Sequence, residues 1–180
     1  MSMFKQTFIL VLASTSLLFG FTSLAQTQGA GLGTPVSESL LENFDQVVEP
    51  DGSGLPEGNG TALEGKLVYD EKCQVCHGAE GEGTSGNTRI VGGDINSSGN
   101  PIRTVGSFWP WASTIFDYVR RAMPTDAPKS LTDTEVYQVT AYVLYMNGIF
   151  NQSTVLNSDS LAAIEMPNRD GFIEIGRAHV

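Results

Sequence analysis

Cys73, Cys76 and His77 lie in the run Cys73-Gln74-Val75-Cys76-His77, which holds both cysteines of the chain and its only histidine apart from His179. Two thiols one helical turn apart can add to the two vinyl groups of a haem, and the adjoining imidazole is then left facing the iron. Two other chemistries use the same residue types. A structural zinc ion takes about four protein ligands, and beyond these three residues the chain offers only His179. A thioredoxin-like redox pair fits the spacing but expects a preceding strand and a βαβ context, and no such pattern stands before Cys73. One covalently attached haem is the chemistry these residues favour.

If His77 binds iron through one imidazole nitrogen, the other is expected to donate to a backbone carbonyl, which fixes the tautomer. His179 falls in the final run from Glu174 to Val180, which reads as a translated sequencing adapter joined to a gene fragment. A bis-histidine iron is thereby set aside, leaving a thioether, an open position or an unusual ligand. Met123 is followed by Pro124 and lies far enough beyond His77 for the chain to pass round a haem edge and present sulfur from the opposite side. Met146 falls on an apolar helical stripe, where methionine is more often core filler. Met166 precedes Pro167 in a tail with little to hold it. Met123 is the favoured second axial ligand. An iron held by two protein ligands changes geometry little between oxidation states and suits outer-sphere electron transfer, and a neutral sulfur in a water-poor pocket favours Fe(II). The redox chemistry then belongs to the cofactor, while the protein supplies ligation, burial and a docking surface. An open position would instead fit a peroxidase-type haem enzyme.

Helices must position these groups. Thr61 and Glu64 have the spacing of a capping box ahead of Leu63, Leu67 and Val68, predicting a helix that runs to about Lys72 and delivers Cys73. After His77 come Gly78, Gly81, Gly83, Gly86, Gly92 and Gly93, a loop able to pass close to a flat porphyrin or simply to turn. A second helix is expected to open at Pro110, to show Trp111, Ile115, Tyr118, Val119 and Ala122 along one face, and to end before Met123. A third starts with Thr132 and Glu135, carries Val136, Val139, Val143 and Met146 on one stripe with Tyr142 beside it, and stops at Asn147 and Gly148. These elements predict an all-α domain over residues 61–150, about three main helices around the haem, whose own core is marginal. Residues 26–60 form an acidic, Gly- and Pro-rich arm or linker with too little apolar area to order itself, and residues 151–173 form a loose extension.

Residues 1–25 have the three parts of a secretory signal: Lys5, an apolar stretch from Phe8 to Phe21, and small residues at Ser23 and Ala25. The alternative is an uncleaved anchor, although the apolar run is shorter than the ~20 residues of a usual span. Export to the periplasm agrees with covalent haem, and no other segment has the length and apolarity to span. The chain carries 20 acidic and 10 basic side chains, a formal net charge of −10. Such a balance disfavours nucleic acid and anionic membrane surfaces, and it suits either solubility alone or a partner with a basic docking patch.

Four further stretches extend the pattern. They run from Pro50 to Gly58, from Thr104 to Trp111, and from Asp117 through Arg120, Arg121 and Met123 to Pro124, followed by Ser130 to Tyr137. With these and the CxxCH motif, the chain from Gly31 to Phe172 resembles the cytochrome c subunits of bacterial sulfur-compound dehydrogenases. Two groups fit: the sulfite dehydrogenase cytochrome subunit and the N-terminal haem domain of the sulfane dehydrogenase cytochrome. The resemblance implies a class I cytochrome c fold, thioethers at Cys73 and Cys76, and axial ligation by His77 and Met123. It also implies a molybdenum-containing or related dehydrogenase subunit that passes electrons one at a time to the haem, and a downstream acceptor. The departure is haem count, since the sulfane dehydrogenase cytochrome carries a second haem domain and this chain has one CxxCH. Arg103, Arg120, Arg121, Trp109 and Trp111 are candidates for the haem edge or a propionate, and equally for ordinary packing. A generic carrier to a terminal oxidase is the other function these features allow.

Overall fold

The computed structural model describes residues 33–41, 44, 47–99 and 102–172. The secretory signal at 1–25 and the terminal run at 174–180, with His179, lie outside the described residues. The chain divides into two units, Met1–Glu38 and Ser39–Val180; residues 33–38 of the first are exposed. At the boundary lies a single helical turn, α1 (Glu38–Leu41), with no buried residue.

In the second unit, two of the three longest helices begin where the Thr-x-x-Glu pattern places them. α2 (Ala62–Lys72) is capped by Thr61: its backbone N–H donates to the Glu64 carboxylate at 2.8 Å, and the Glu64 N–H donates back to the Thr61 hydroxyl at 3.3 Å. Its C-terminal residue leads directly into α3 (Gln74–His77), a single turn bearing the CxxCH. α6 (Asp133–Met146) repeats the box with Thr132 and Glu135, at 2.8 and 3.2 Å. Each reciprocal pair satisfies two of the otherwise orphaned N–H groups of a helix start.

α6 is the centre of the fold, with Val136, Tyr137, Val139, Ala141 and Leu144 at most 2% exposed. α2 crosses it at Gly65, where a Cβ would run into the Gln138 carbonyl of α6, so only glycine admits the close approach. The buried face of α2 is accordingly Ala62, Gly65, Val68 and Tyr69, while Leu63 and Leu67 point outward. The Tyr69 and Tyr142 rings meet edge to face at 5.2 Å across this crossing, and Lys72 Nζ binds Glu135 Oε1 at 2.9 Å where the end of α2 meets the start of α6.

Before the third long helix comes a turn not expected from the sequence, α4 (Val105–Phe108), capped by Thr104. α5 (Ala112–Ala122) then starts two residues later than Pro110. Trp111 is its extended N-cap and bridges Glu165, so its ring stacks under Arg169 rather than joining the helix face. The buried face of α5 is Ala112, Ser113, Ile115, Phe116 and Asp117, with Tyr118 turned out at 47% exposure. Phe116 packs on Tyr137 of α6 with ring centres 4.5 Å apart.

Two expectations about the flanks are corrected. Residues 47–60 of the arm pack on the helices: Val48 is 3% exposed and its N–H donates to Asp117 Oδ1 at 3.0 Å, Ser113 Oγ donates to the Pro50 carbonyl at 2.7 Å, and Tyr137 donates to the Pro56 carbonyl at 2.9 Å. Side chains of α5 and α6 thus supply the hydrogen-bonding partners that the segment cannot supply itself. The tail is likewise held. β1 (Asn59–Gly60) pairs antiparallel with β2 (Leu156–Asn157), and α7 (Ser158–Ala162) follows, capped by Asn157. Leu156, Leu161 and Met166 are at most 2% exposed, and Asn168 donates to the Phe108 carbonyl at 2.7 Å.

Candidate functional site

The site is built on the backbone of α3. The N–H groups of Cys76 and His77 both donate to the Cys73 carbonyl, at 3.1 and 3.0 Å, so the two cysteines stand three residues apart on one helical turn. That spacing turns both thiols to the same side. The exit from the turn is fixed from three directions. Tyr69 donates to the Gly78 carbonyl at 2.8 Å, Gly83 N–H donates to the His77 carbonyl at 2.7 Å, and Thr84 donates to the Cys76 carbonyl at 3.1 Å. Among the loop glycines, Gly81 has φ +74° and lies against Val91 and Ile90, so this glycine folds the loop onto itself.

Cys76 is exposed, whereas Cys73 is half-buried against the core and burial pushes its thiol up to about 11. A redox dithiol needs the opposite, a lowered thiol pKa that supplies thiolate. Among the described residues the only paired strands are two residues long, and no group of three or more His, Cys, Asp or Glu side chains is gathered to hold a metal ion. Among the described residues, the strand and βαβ context of a thioredoxin-like pair is absent.

His77 does not make the expected second hydrogen bond. Its Nδ1 is buried with no partner in the polypeptide. With Nδ1 buried, Nε2 is the ring nitrogen left to meet a ligand. Beside two unbridged thiols on one turn, this donor set fits a haem attached through Cys73 and Cys76 with His77 beneath it.

The three methionines separate by burial. Met166 is 2% exposed and fills the core; Met146 packs against it. Met123 is the C-cap of α5, only partly buried and outside the core cluster, and its sulfur accepts a hydrogen bond from Thr125 Oγ1 at 3.6 Å. Thr125 has no signal in the sequence beyond a hydroxyl two positions after the methionine. Of the arginines, Arg120 binds Asp133 at 2.8 and 3.3 Å and Arg121 binds Asp117, while Arg103 lies over the Phe108 ring at 5.1 Å. Trp109 pairs with Tyr118 at 5.8 Å and Trp111 carries Arg169 at 3.1 Å from its ring centre. A shallow groove lined by Ile95 and Glu165–Gly171 includes none of the Cys73 to His77 residues.

A helical domain that presents a CxxCH on a single turn, with two unbridged cysteines, has the attachment site of a c-type cytochrome. Comparison with known proteins agrees. The family described as cytochrome c oxidase, cbb3-type, subunit III matches residues 60–143. Thiosulfate dehydrogenase of Allochromatium vinosum is 28% identical over 123 residues, covering 66% of this chain and 40% of that protein. Thiosulfate dehydrogenase of Psychrobacter arcticus is 32% identical over 119 residues, covering 59% and 34%. The chain therefore spans two fifths or less of the length of these curated relatives. In the crystal structure of the sulfane dehydrogenase SoxCD from Paracoccus pantotrophus, one chain superposes with a TM-score of 0.76 at 34% identity, covering 83% of this chain and 74% of that one. The chain belongs to the class I cytochrome c family, in the group that includes the cytochrome of that sulfane dehydrogenase, and its cofactor is covalently bound haem c.

Proposed function

We propose that this chain is an exported, single-haem electron-transfer domain serving the oxidation of sulfur compounds, with Cys73 and Cys76 as thioether anchors and His77 and Met123 as axial ligands. The observation that supports the ligand assignment is the α3 turn itself, which carries two unbridged thiols one helical turn apart with His77 directly after the second. Haem supplies the one-electron Fe(III)/Fe(II) couple. The chain's own residues do the remaining work. Tyr69, Thr84 and Gly83 fix the turn from which the thiols project, and the Thr132 cap with Lys72 and Glu135 locks α2 to α6 behind it. The Met123 sulfur, outside the core, is the thioether free to ligate.

The electron donor in this reading is a sulfur-compound dehydrogenase subunit, of the molybdenum-containing kind, working in the periplasm and followed by a downstream acceptor. Support comes from the sulfane and thiosulfate dehydrogenase relatives and from a net charge of −10, which complements a basic docking patch. Among the described residues no helix is long and apolar enough to cross a membrane. The compact unit beginning at Ser39 takes in the region from Thr61 to Phe150 together with its flanks.

The test mixes the purified haem protein with such a dehydrogenase and, in turn, sulfite, thiosulfate or a sulfane sulfur donor, and follows the haem absorbance. Rapid reduction with one of the three is expected and names the substrate. A haem that stays oxidised with all three, yet is reduced by dithionite, defeats the sulfur assignment. The match to an oxidase subunit family favours delivery to a terminal oxidase as the second reading, and oxidation by that enzyme without any response to sulfur donors would select it.

A further inference from the structure

Thr125 Oγ1 donates to Met123 Sδ at 3.6 Å. A thioether is a weak acceptor, so the attraction alone does not hold an exposed hydroxyl that water could equally well satisfy. The backbone holds it instead. Ala127 N–H donates to the Pro124 carbonyl at 3.0 Å, closing a turn that holds Thr125 directly after Pro124 and beside the sulfur. We propose that the Thr125 hydroxyl sets the donor strength of the Met123 thioether and thereby the reduction potential of the haem, an inference that rests on Met123 being the second axial ligand.

The sulfur has two lone pairs. An iron held by Met123 would use one, and the hydroxyl polarises the other, which would draw electron density away from the iron-directed pair. Fe(III) depends on that donation more than Fe(II) does, so the hydrogen bond favours the reduced state and holds the potential up. Removing it lowers the potential. The Thr125 side chain is exposed and makes no core contact, so Thr125→Val deletes the hydroxyl at nearly constant shape without threatening the fold.

The experiment compares wild type, T125V, T125S and M123A as haem-loaded proteins, by potentiometric titration and by the sulfur-to-iron charge-transfer band of the oxidised form. T125V is expected to shift the one-electron equilibrium toward Fe(III) threefold to tenfold, about 30 to 60 mV, and to move the band, while T125S keeps both at wild-type values. An unchanged potential and band in T125V overturns the proposal, and so does an equal shift in T125V and T125S, because the hydroxyl is then not the cause. M123A separates this failure from that of the ligand assignment. Loss of the band in M123A with a silent T125V leaves Met123 as ligand and rejects the role of Thr125. A band retained in M123A rejects the ligand and the tuning together.

Discussion

Burial decides which sulfur is available. Residue type alone leaves Met123, Met146 and Met166 as equal thioethers, and the Met-Pro pattern is shared by Met123 and Met166. The structure buries Met166 to 2% exposure among core side chains and leaves Met123 outside that core with its sulfur hydrogen-bonded to a surface hydroxyl. A side chain serving as core filler cannot leave without opening a cavity. Met166→Ala should therefore cost about 2 to 5 kcal/mol in denaturant unfolding while the sulfur-to-iron band of the oxidised protein persists. If Met166→Ala lost that band at little cost in stability, the ligand would be Met166 and the burial argument would be wrong. The same residue-level logic distinguishes the two cysteines: the half-buried Cys73 thiol is pushed up to about 11 and stays protonated at neutral pH, which makes the pair a poor redox dithiol and leaves it as an anchor.

Between elements, Glu135 is used twice. Its carboxylate accepts the Thr132 N–H as the cap of α6 and binds Lys72 at the end of α2, and these contacts, the backbone hydrogen bond first, bring its carboxyl down from 4.5 to about 2. The lowered value means that the folded protein holds Glu135 charged where the unfolded chain would protonate it. Its contribution is complete above pH 4.5 and disappears as the pH falls through 2. Glu135→Gln keeps a capping side chain but loses the ion pair, so it should be less stable than wild type by about 1 to 2 kcal/mol at pH 7. Unfolding measured at pH 7, 4 and 2.5 should show the gap narrowing as the solution is acidified. A gap that stays constant with pH would mean that packing of the Lys72 and Glu135 stems, and not charge, joins α2 to α6.

For the whole molecule, what could be read from the sequence was local, and what could not was long-range. Both Thr-x-x-Glu caps, the helix boundaries at Lys72 and Met146 and the CxxCH turn are set by residues within a few positions of one another, so pattern and structure agree. The face of α2 departs from its hydrophobic spacing because its packing is governed by Gly65 meeting Gln138, a contact across 73 positions that such spacing cannot signal. The order of the tail is hidden for the same reason: Leu156, Leu161 and Met166 fall five apart, matching neither a helix nor a strand period, and β2 finds its partner at Asn59 and Gly60. Each of these three buried side chains contributes about 1.5 to 3 kcal/mol by removal from water, against a total stability of about 5 to 15 kcal/mol for a domain. Ending the chain at Phe150, where the sequence alone would place the domain boundary, should therefore abolish the cooperative thermal transition followed by circular dichroism. A truncated protein that keeps haem and melts within a few degrees of full length would show that residues 151–172 only cover a core complete without them.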